Sequence, residues 1–202
     1  MLMDYVDIGT SDFETSLDVW QPGCRILLVE PLQHYLCALD QRPGVFKLCA
    51  AISDYPGQCE MFHIPQDVIK TQGLPDWVRG CNRMMEPHPT VVKLLQNNGL
   101  PVSIIQQQSA IVLTFHQLCE IYSITQSHRV KIDTEGHDHV ILKQVIDRIK
   151  NELLKTQVIQ YERIEAFGNV NQLREQETRL DLMGYTGEIS GDNAIWTKIS
   201  TT

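Results

Sequence analysis

The sequence predicts an α/β fold: a mostly parallel sheet with helices on both faces, a C-terminal antiparallel hairpin, and an inserted extra hairpin and lid. Three observations carry this reading. The strand candidates are apolar from end to end, as in Ile26-Leu27-Leu28-Val29, which suits strands covered on both faces. They alternate with helical segments, the pattern of parallel crossover units. Several also end on a carboxylate, namely Asp7, Glu30 and Asp133. Ligands of open α/β sheets bind outside the carboxyl ends of the strands, so these tips point to a site.

The elements follow in order. Residues 5–8 form a short buried strand that runs into Gly9-Thr10-Ser11-Asp12, where Ser11 or Asp12 can cap a helix over 13–19. Residues 26–29 are the second strand, 32–39 a helix closed by Arg42-Pro43-Gly44, and 45–52 a third strand ending on Ser53-Asp54. Tyr55-Pro56-Gly57-Gln58 reads as a hairpin turn into an extra antiparallel strand over 59–64. Residues 65–101 are punctuated by proline and glycine, with one helix over 91–97, and are expected to form a substrate-facing lid. A strand over 102–107, a helix over 113–122 and a strand over 129–133 follow. The longest helix spans 137–155 on a stripe of Val140, Ile141, Val145, Ile146, Ile149 and Leu153. Residues 158–162 are a strand and 169–183 a helix stopped by Gly184. A hairpin of 185–189 and 194–199 turns at Gly191-Asp192.

Bulk properties remove several classes of function. The chain has 202 residues and a net charge of −8, which fits one domain and argues against a general nucleic-acid binder. No apolar run approaches the roughly 20 residues of a membrane helix, and Met1-Leu2-Met3-Asp4 does not resemble a secretory signal. The cytosol is the expected location. The six cysteines include no C-x-x-C pair, so zinc clusters and redox motifs are unsupported and free buried thiols are expected. No metal site is expected.

The carboxylate tips narrow the ligand. A dinucleotide site needs a glycine-rich first turn for the pyrophosphate and an acidic residue about 20 positions later for the ribose. Glu30 meets the second requirement, but the first turn holds only Gly9, and Asp7 would repel an anion. An adenosyl ligand whose pyrophosphate is replaced by positive charge fits better, and S-adenosyl-L-methionine is such a ligand.

Taken together, Val6-Asp7-Ile8-Gly9-Thr10-Ser11, Leu28-Val29-Glu30-Pro31, Ala50-Ala51-Ile52-Ser53-Asp54 and Lys131-Ile132-Asp133-Thr134-Glu135-Gly136-His137-Asp138 form an ordered series. With residues 158–162 and Gly184-Tyr185, the series resembles the FkbM-type S-adenosylmethionine-dependent methyltransferases over nearly the whole chain. The resemblance implies a Rossmann-like class I methyltransferase fold with a seven-stranded sheet. It also implies transfer of a methyl group to a hydroxyl of a sugar or natural-product-like acceptor. It places Asp7 and Gly9 at the methionine moiety, Glu30 at the ribose, and Ile52 and Ser53 near the adenine. Thr10, Ser11 and Pro31 complete the cofactor set, and Asp133 and Glu135 lie beside the transferred methyl. Two departures stand out: Phe13 occupies the last glycine position of the family's D-V-G-A-N-x-G turn, and Asp138 replaces a glutamate. The first strand also starts without a covering helix, so a second copy of the chain is expected to close that side.

Residue roles follow from chemistry. Asp133 and Glu135 alternate on a strand end, so one of them faces the site, and Asp133 is the expected base. His137 is the alternative base. His137 and His139 do not share a helix face, which argues against a metal pair. Trp77, Arg79 and His88 from the insert, and Glu162 at the next strand tip, are candidate acceptor contacts. The competing expectation is a non-catalytic binding module that keeps the fold. A nicotinamide enzyme lacks its glycines here, and a phosphate-binding loop is missing as well.

Overall fold

A computed structural model describes residues 1–13, 15–164 and 167–199. β1 (Leu2–Ile8) leads through a 3-10 turn (Ser16–Val19) to β2 (Ile26–Val29), α1 (Gln33–Ala38), β3 (Val45–Leu48), β4 (Ala51–Ser53) and β5 (Gly57–His63). The insert carries α2 (Gln66–Thr71), a 3-10 turn (Asp76–Gly80), β6 (Arg83–Met84) and α3 (Pro89–Asn97). A third 3-10 turn (Val102–Ile104) precedes β7 (Gln106–Thr114), α4 (Phe115–Ile121), β8 (Gln126–Ile132) and α5 (Asp138–Lys150). β9 (Lys155–Glu162), α6 (Val170–Leu182), β10 (Tyr185–Ser190) and β11 (Asn193–Lys198) complete the chain.

The main sheet has seven strands in the order β10-β11-β9-β8-β1-β2-β3. Its strands run parallel from β3 through β9, and β11 pairs antiparallel with both neighbours. The fold is α/β and Rossmann-like. The chain winds one way from β1 to β3 and the other way from β8 to β9, so the order reverses between β1 and β8. Ile8 stands level with both Val29 and Ile132. The residues that follow each strand therefore emerge at one height, around the switch point where such sheets bind ligands.

Alternation along β2 explains the layering. Leu27 and Val29 enter the large core with Phe115, Leu118, Ile141 and Val145 from α4 and α5, while Ile26 and Leu28 face Leu17, Leu36 and Val45 on the other side. Apolar residues on both faces of one strand are what two flanking layers demand. The insert has its own small core of Ile64, Ile69, Leu74, Val78, Val91 and Leu95. Among the described residues, no helix is long and apolar enough to cross a membrane.

Several expectations are corrected. The strand over 45–52 is two strands: β3 edges the main sheet, and after Cys49-Ala50 the chain crosses into a second sheet of order β4-β7-β5-β6. Residues 55–58 are not a hairpin turn, because β7 lies between β4 and β5 and pairs with both. The strand expected at 102–107 begins at Gln106 and runs to Thr114, which then caps α4 in a reciprocal box with Gln117. Of the helix expected over 13–19, Glu14 lies outside the described residues and the remainder yields only the 3-10 turn capped by Thr15. The helix expected over 137–155 stops at Lys150, since Glu152 takes a left-handed conformation (φ 59°) and Lys155 already belongs to β9. The cysteines are free, but only Cys59 and Cys119 are buried, and Cys49 is exposed.

Phe115 is fully buried where α4 meets the sheet. Phe115→Ala should lower the unfolding free energy by about 3–5 kcal/mol, read as a lower urea midpoint at unchanged slope.

Candidate functional site

Gly9 fixes the geometry of the site. It has φ +80°, and a Cβ there would stand 1.7 Å from the Asp133 carbonyl oxygen, so only glycine lets the β1 tip lie against the β8 tip. The Gly9 N–H donates to the Val29 carbonyl at 2.9 Å, and the Asp133 N–H donates to the Ile8 carbonyl at 2.9 Å. Three strand ends are thus locked together.

Asp7 lies beneath this turn. It is fully buried and accepts hydrogen bonds from the Ser16 N–H (2.7 Å) and the Thr10 hydroxyl (3.2 Å), with the Lys131 ammonium 3.7 Å away. Asp7 and Thr10 therefore hold the loop from below and do not line the hollow above it, contrary to the direct contacts expected of them. These ties also explain the missing helix: Asp7 takes the Ser16 N–H, and Asp12 is drawn to Arg79 (3.0 Å) and Gln66 (3.2 Å).

Above the turn is a hollow of about 450 Å³, edged by Gly9, Ser11, Glu30, Pro31, Ile52 and Asp133. Glu30 is 4% exposed and accepts from the Leu32 N–H (2.9 Å) and the Ser11 N–H (3.1 Å). Burial pushes its carboxyl up to about 7; the two N–H donors oppose this, and nearby Asp133 and Asp7 add to it. The Ser11 hydroxyl oxygen, in a left-handed residue (φ 50°), is buried without a hydrogen-bond partner among the described residues. Ser53 turns away: its hydroxyl meets His137 Nε2 at 3.0 Å. His137 likewise lies outside this hollow, and burial lowers its pKa to about 4, which makes it a weak base at neutral pH.

The insert closes one side. Trp77 and His88 line the hollow. Arg79 does not; it bridges Asp12 and Asp76 and lies 4.3 Å over the Phe13 ring, holding the insert to the first turn. Phe13 also lines the hollow and presses on Gly80, where a Cβ would come within 2.7 Å of the ring.

The expectation that only one of Asp133 and Glu135 faces the site is corrected. β8 ends at Ile132, and Glu135 adopts a left-handed conformation (φ 54°), so strand alternation no longer applies and both residues line the hollow. Glu135 meets His88 Nε2 at 3.1 Å, with both side chains largely buried. His88 Nδ1 accepts from the Thr90 N–H at 3.2 Å, which leaves the hydrogen on Nε2 to donate to Glu135. Burial holds His88 down to about 4, hence neutral, and lifts Glu135 to about 8, with Asp133 and Asp138 contributing.

Glu162 completes an acidic wall. Oxygens of Asp133, Glu135 and Glu162 lie within 4.8 Å of one another, a donor set able to hold a hard divalent cation, although no close spacing in the sequence marks it. Cys81, His88 and Glu135 cluster similarly. The hydrogen on His88 Nε2 and the burial-raised Cys81 thiol oppose a softer metal there. Asp138 aligns this wall: it is buried and accepts from the Thr134 hydroxyl (3.1 Å), the Gly136 N–H (3.3 Å) and the Glu162 N–H (3.2 Å), tying the β8–α5 turn to the β9 tip. Its short side chain in the first turn of a helix was the available sequence signal for this role.

No family model, curated protein or solved structure matches this chain significantly.

Burial raises the Glu162 carboxyl from 4.5 to about 9, helped by Glu135 and Asp133, and one of its oxygens is buried without a partner. Between those values the folded protein holds a proton that the unfolded chain has released, so stability falls as pH rises. Glu162→Gln removes this loss. The melting temperature of the variant relative to the wild type should climb from about pH 4.5 to about pH 9 and then level off, as scanning calorimetry would show.

Proposed function

We propose that the protein is an S-adenosylmethionine-dependent methyltransferase acting on a hydroxyl acceptor. The observation that carries this reading is the convergence of Gly9, Glu30, Ile52 and Asp133 on one hollow at the switch point of the sheet. The seven-stranded sheet with its antiparallel C-terminal strand also accords with the resemblance seen in the sequence.

The residues present fit the cofactor. Glu30 and the unpartnered Ser11 hydroxyl offer polar contacts for a ribose, and Pro31, Ala51 and Ile52 offer an apolar seat for adenine. Asp133 stands on the acidic side, where positive charge is favoured. The bound cofactor supplies a methyl group on a cationic sulfur. The chain's part is to orient the acceptor, exclude water and remove a proton. Asp133 is paired with Lys131 at 3.3 Å, whereas Glu135 is held by the neutral His88 with a carboxyl near pH 8. A base works best with its pKa near the working pH, so Glu135 is the proton acceptor. Trp77 and the insert shield the reacting side from bulk water, and fixed orientation lowers the barrier further.

One observation favours a second reading, a module that binds the cofactor without turnover. The Phe13 ring lines the hollow where the resembling family has glycine.

Calorimetry should detect binding of both S-adenosylmethionine and S-adenosylhomocysteine, with Glu30→Gln weakening the latter about tenfold, or about 1.4 kcal/mol. No heat from folded protein would overturn the assignment. In methylation assays over hydroxylated acceptors, kcat/KM should rise with pH through about 8 as Glu135 loses its proton. Glu135→Gln should reduce it about 10²–10⁴-fold; cofactor binding with no turnover on any acceptor would favour the second reading.

A further inference from the structure

Positive charge is scarce around the hollow. Five carboxyl side chains line it: Glu30, Asp133, Glu135, Glu162 and Asp192. Among the described residues no lysine or arginine lines it, and residues 14, 165–166 and 200–202 include neither type. Cations around the hollow already have carboxylates of their own. Lys131 lies between Asp7 and Asp133, Arg79 pairs with Asp12 and Asp76, Arg83 with Glu86, and Arg163 with Glu177. S-adenosylmethionine, with a sulfonium, an ammonium and a carboxylate, brings a single net positive charge. Glu30 stands at the ribose and Asp133 has Lys131, which leaves Glu135, Glu162 and Asp192 in excess.

Two buried polar atoms show that the hollow is built to be filled from both ends. Ser11 is 9% exposed, and its hydroxyl, beside Glu30, has no hydrogen-bond partner among the described residues. One oxygen of Glu162 is likewise buried and unpartnered, and β8 and β1 lie between its strand and that of Glu30. Burial raises the Glu162 carboxyl, and Asp192 is among the carboxylates that add to the rise, so the two lie close together. Apolar side chains share this end: Trp77, 46% exposed, with Met84 and Ile164.

We propose that the acceptor is a hydroxylated organic amine, held with its ammonium between Glu162 and Asp192 and its hydroxyl at Glu135. The proposal rests on the methyltransferase reading for the acceptor's role, but not for the binding of the amine.

A bare divalent ion would satisfy the carboxylates and leave the apolar side chains unused. A carbon frame that carries an ammonium uses both, and the Trp77 ring favours positive charge as well. Charge also stays matched through the reaction. The acceptor oxygen gains the methyl from sulfur, a neutral thioether remains, and the hydroxyl proton passes to Glu135. The sulfonium charge is then gone, while the ammonium still neutralises Glu162 and Asp192.

The test is an amide NMR titration of the whole ¹⁵N-labelled chain at about pH 8.5, where an alkylammonium keeps its proton. Tyramine and phenylethanolamine are the amines, para-ethylphenol and phenylethanol their uncharged counterparts, and phloretic acid the anionic one. Saturable shifts are expected at Glu162, Ile164 and Asp192 for at least one amine. Its uncharged counterpart should bind about tenfold more weakly, and phloretic acid not at all. Glu162→Gln should close most of that gap. Asp192→Asn, at an exposed position, should narrow it with an unchanged unfolding temperature. No saturable shift with either amine, equal affinity for amine and counterpart, an undiminished gap in either variant, or displacement of the amine by equimolar magnesium would overturn the proposal. A parallel titration with S-adenosylhomocysteine, read at Gly9 and Ser11, separates the two claims. Silence there alongside amine shifts sinks the cofactor reading and leaves the amine site standing. Shifts there with no preference for amines sink the amine site alone.

Discussion

The approach of Gly9 to the Asp133 carbonyl is the contact on which the rest of the structure depends. Side chains are excluded there by sterics alone, since a single added carbon would overlap the carbonyl oxygen. With the β1 and β8 tips held that close, Glu30 on one side and Asp133 and Glu135 on the other edge a common hollow. Were the tips further apart, the carboxylates would be solvated strand ends of little consequence.

Crowding follows from the same approach. Glu30, Glu135 and Glu162 are all pushed upward, and in each case burial is the first cause and neighbouring carboxylates add to it. The protein offsets this repulsion in three ways. Lys131 sits between Asp7 and Asp133, backbone N–H groups cap Glu30 and Asp138, and His88 reaches from the insert to Glu135. The insert thus does more than cover the site. Its histidine supplies a hydrogen-bond donor that the sheet does not provide at that point, and its own apolar core keeps that donor in place.

Much of this was legible in the sequence where one physical rule dominated. Fully apolar strands announced a sheet covered on both faces, and acidic residues at strand ends announced the switch-point hollow. Reading failed where two rules competed. Residues 45–52 look like one strand because every position suits one, yet β7 captures the second half into another sheet. Asp12 is a good helix cap by type, but Arg79 and Gln66, more than fifty positions away, claim its carboxylate. The alternation rule for Asp133 and Glu135 assumed that the strand continued, whereas a left-handed residue turned the second carboxylate back. Asp7 and Ser53 were recognised as important and misplaced in role: each organises the site from beneath or behind. Asp138 and Lys131 carry no role in the sequence because each takes a partner distant along the chain, the Glu162 N–H and Asp7.

Phe13 and Gly80 form a ring and the notch that receives it. Neither position is free to drift by itself: enlarging residue 80 would collide with the ring, and shrinking residue 13 would leave a void beneath Arg79 where the insert leans on the loop. Among descendants of such a chain, the two sites should vary in concert. The history of this loop would then be legible as a correlation between two positions far apart in sequence, rather than as a single altered letter.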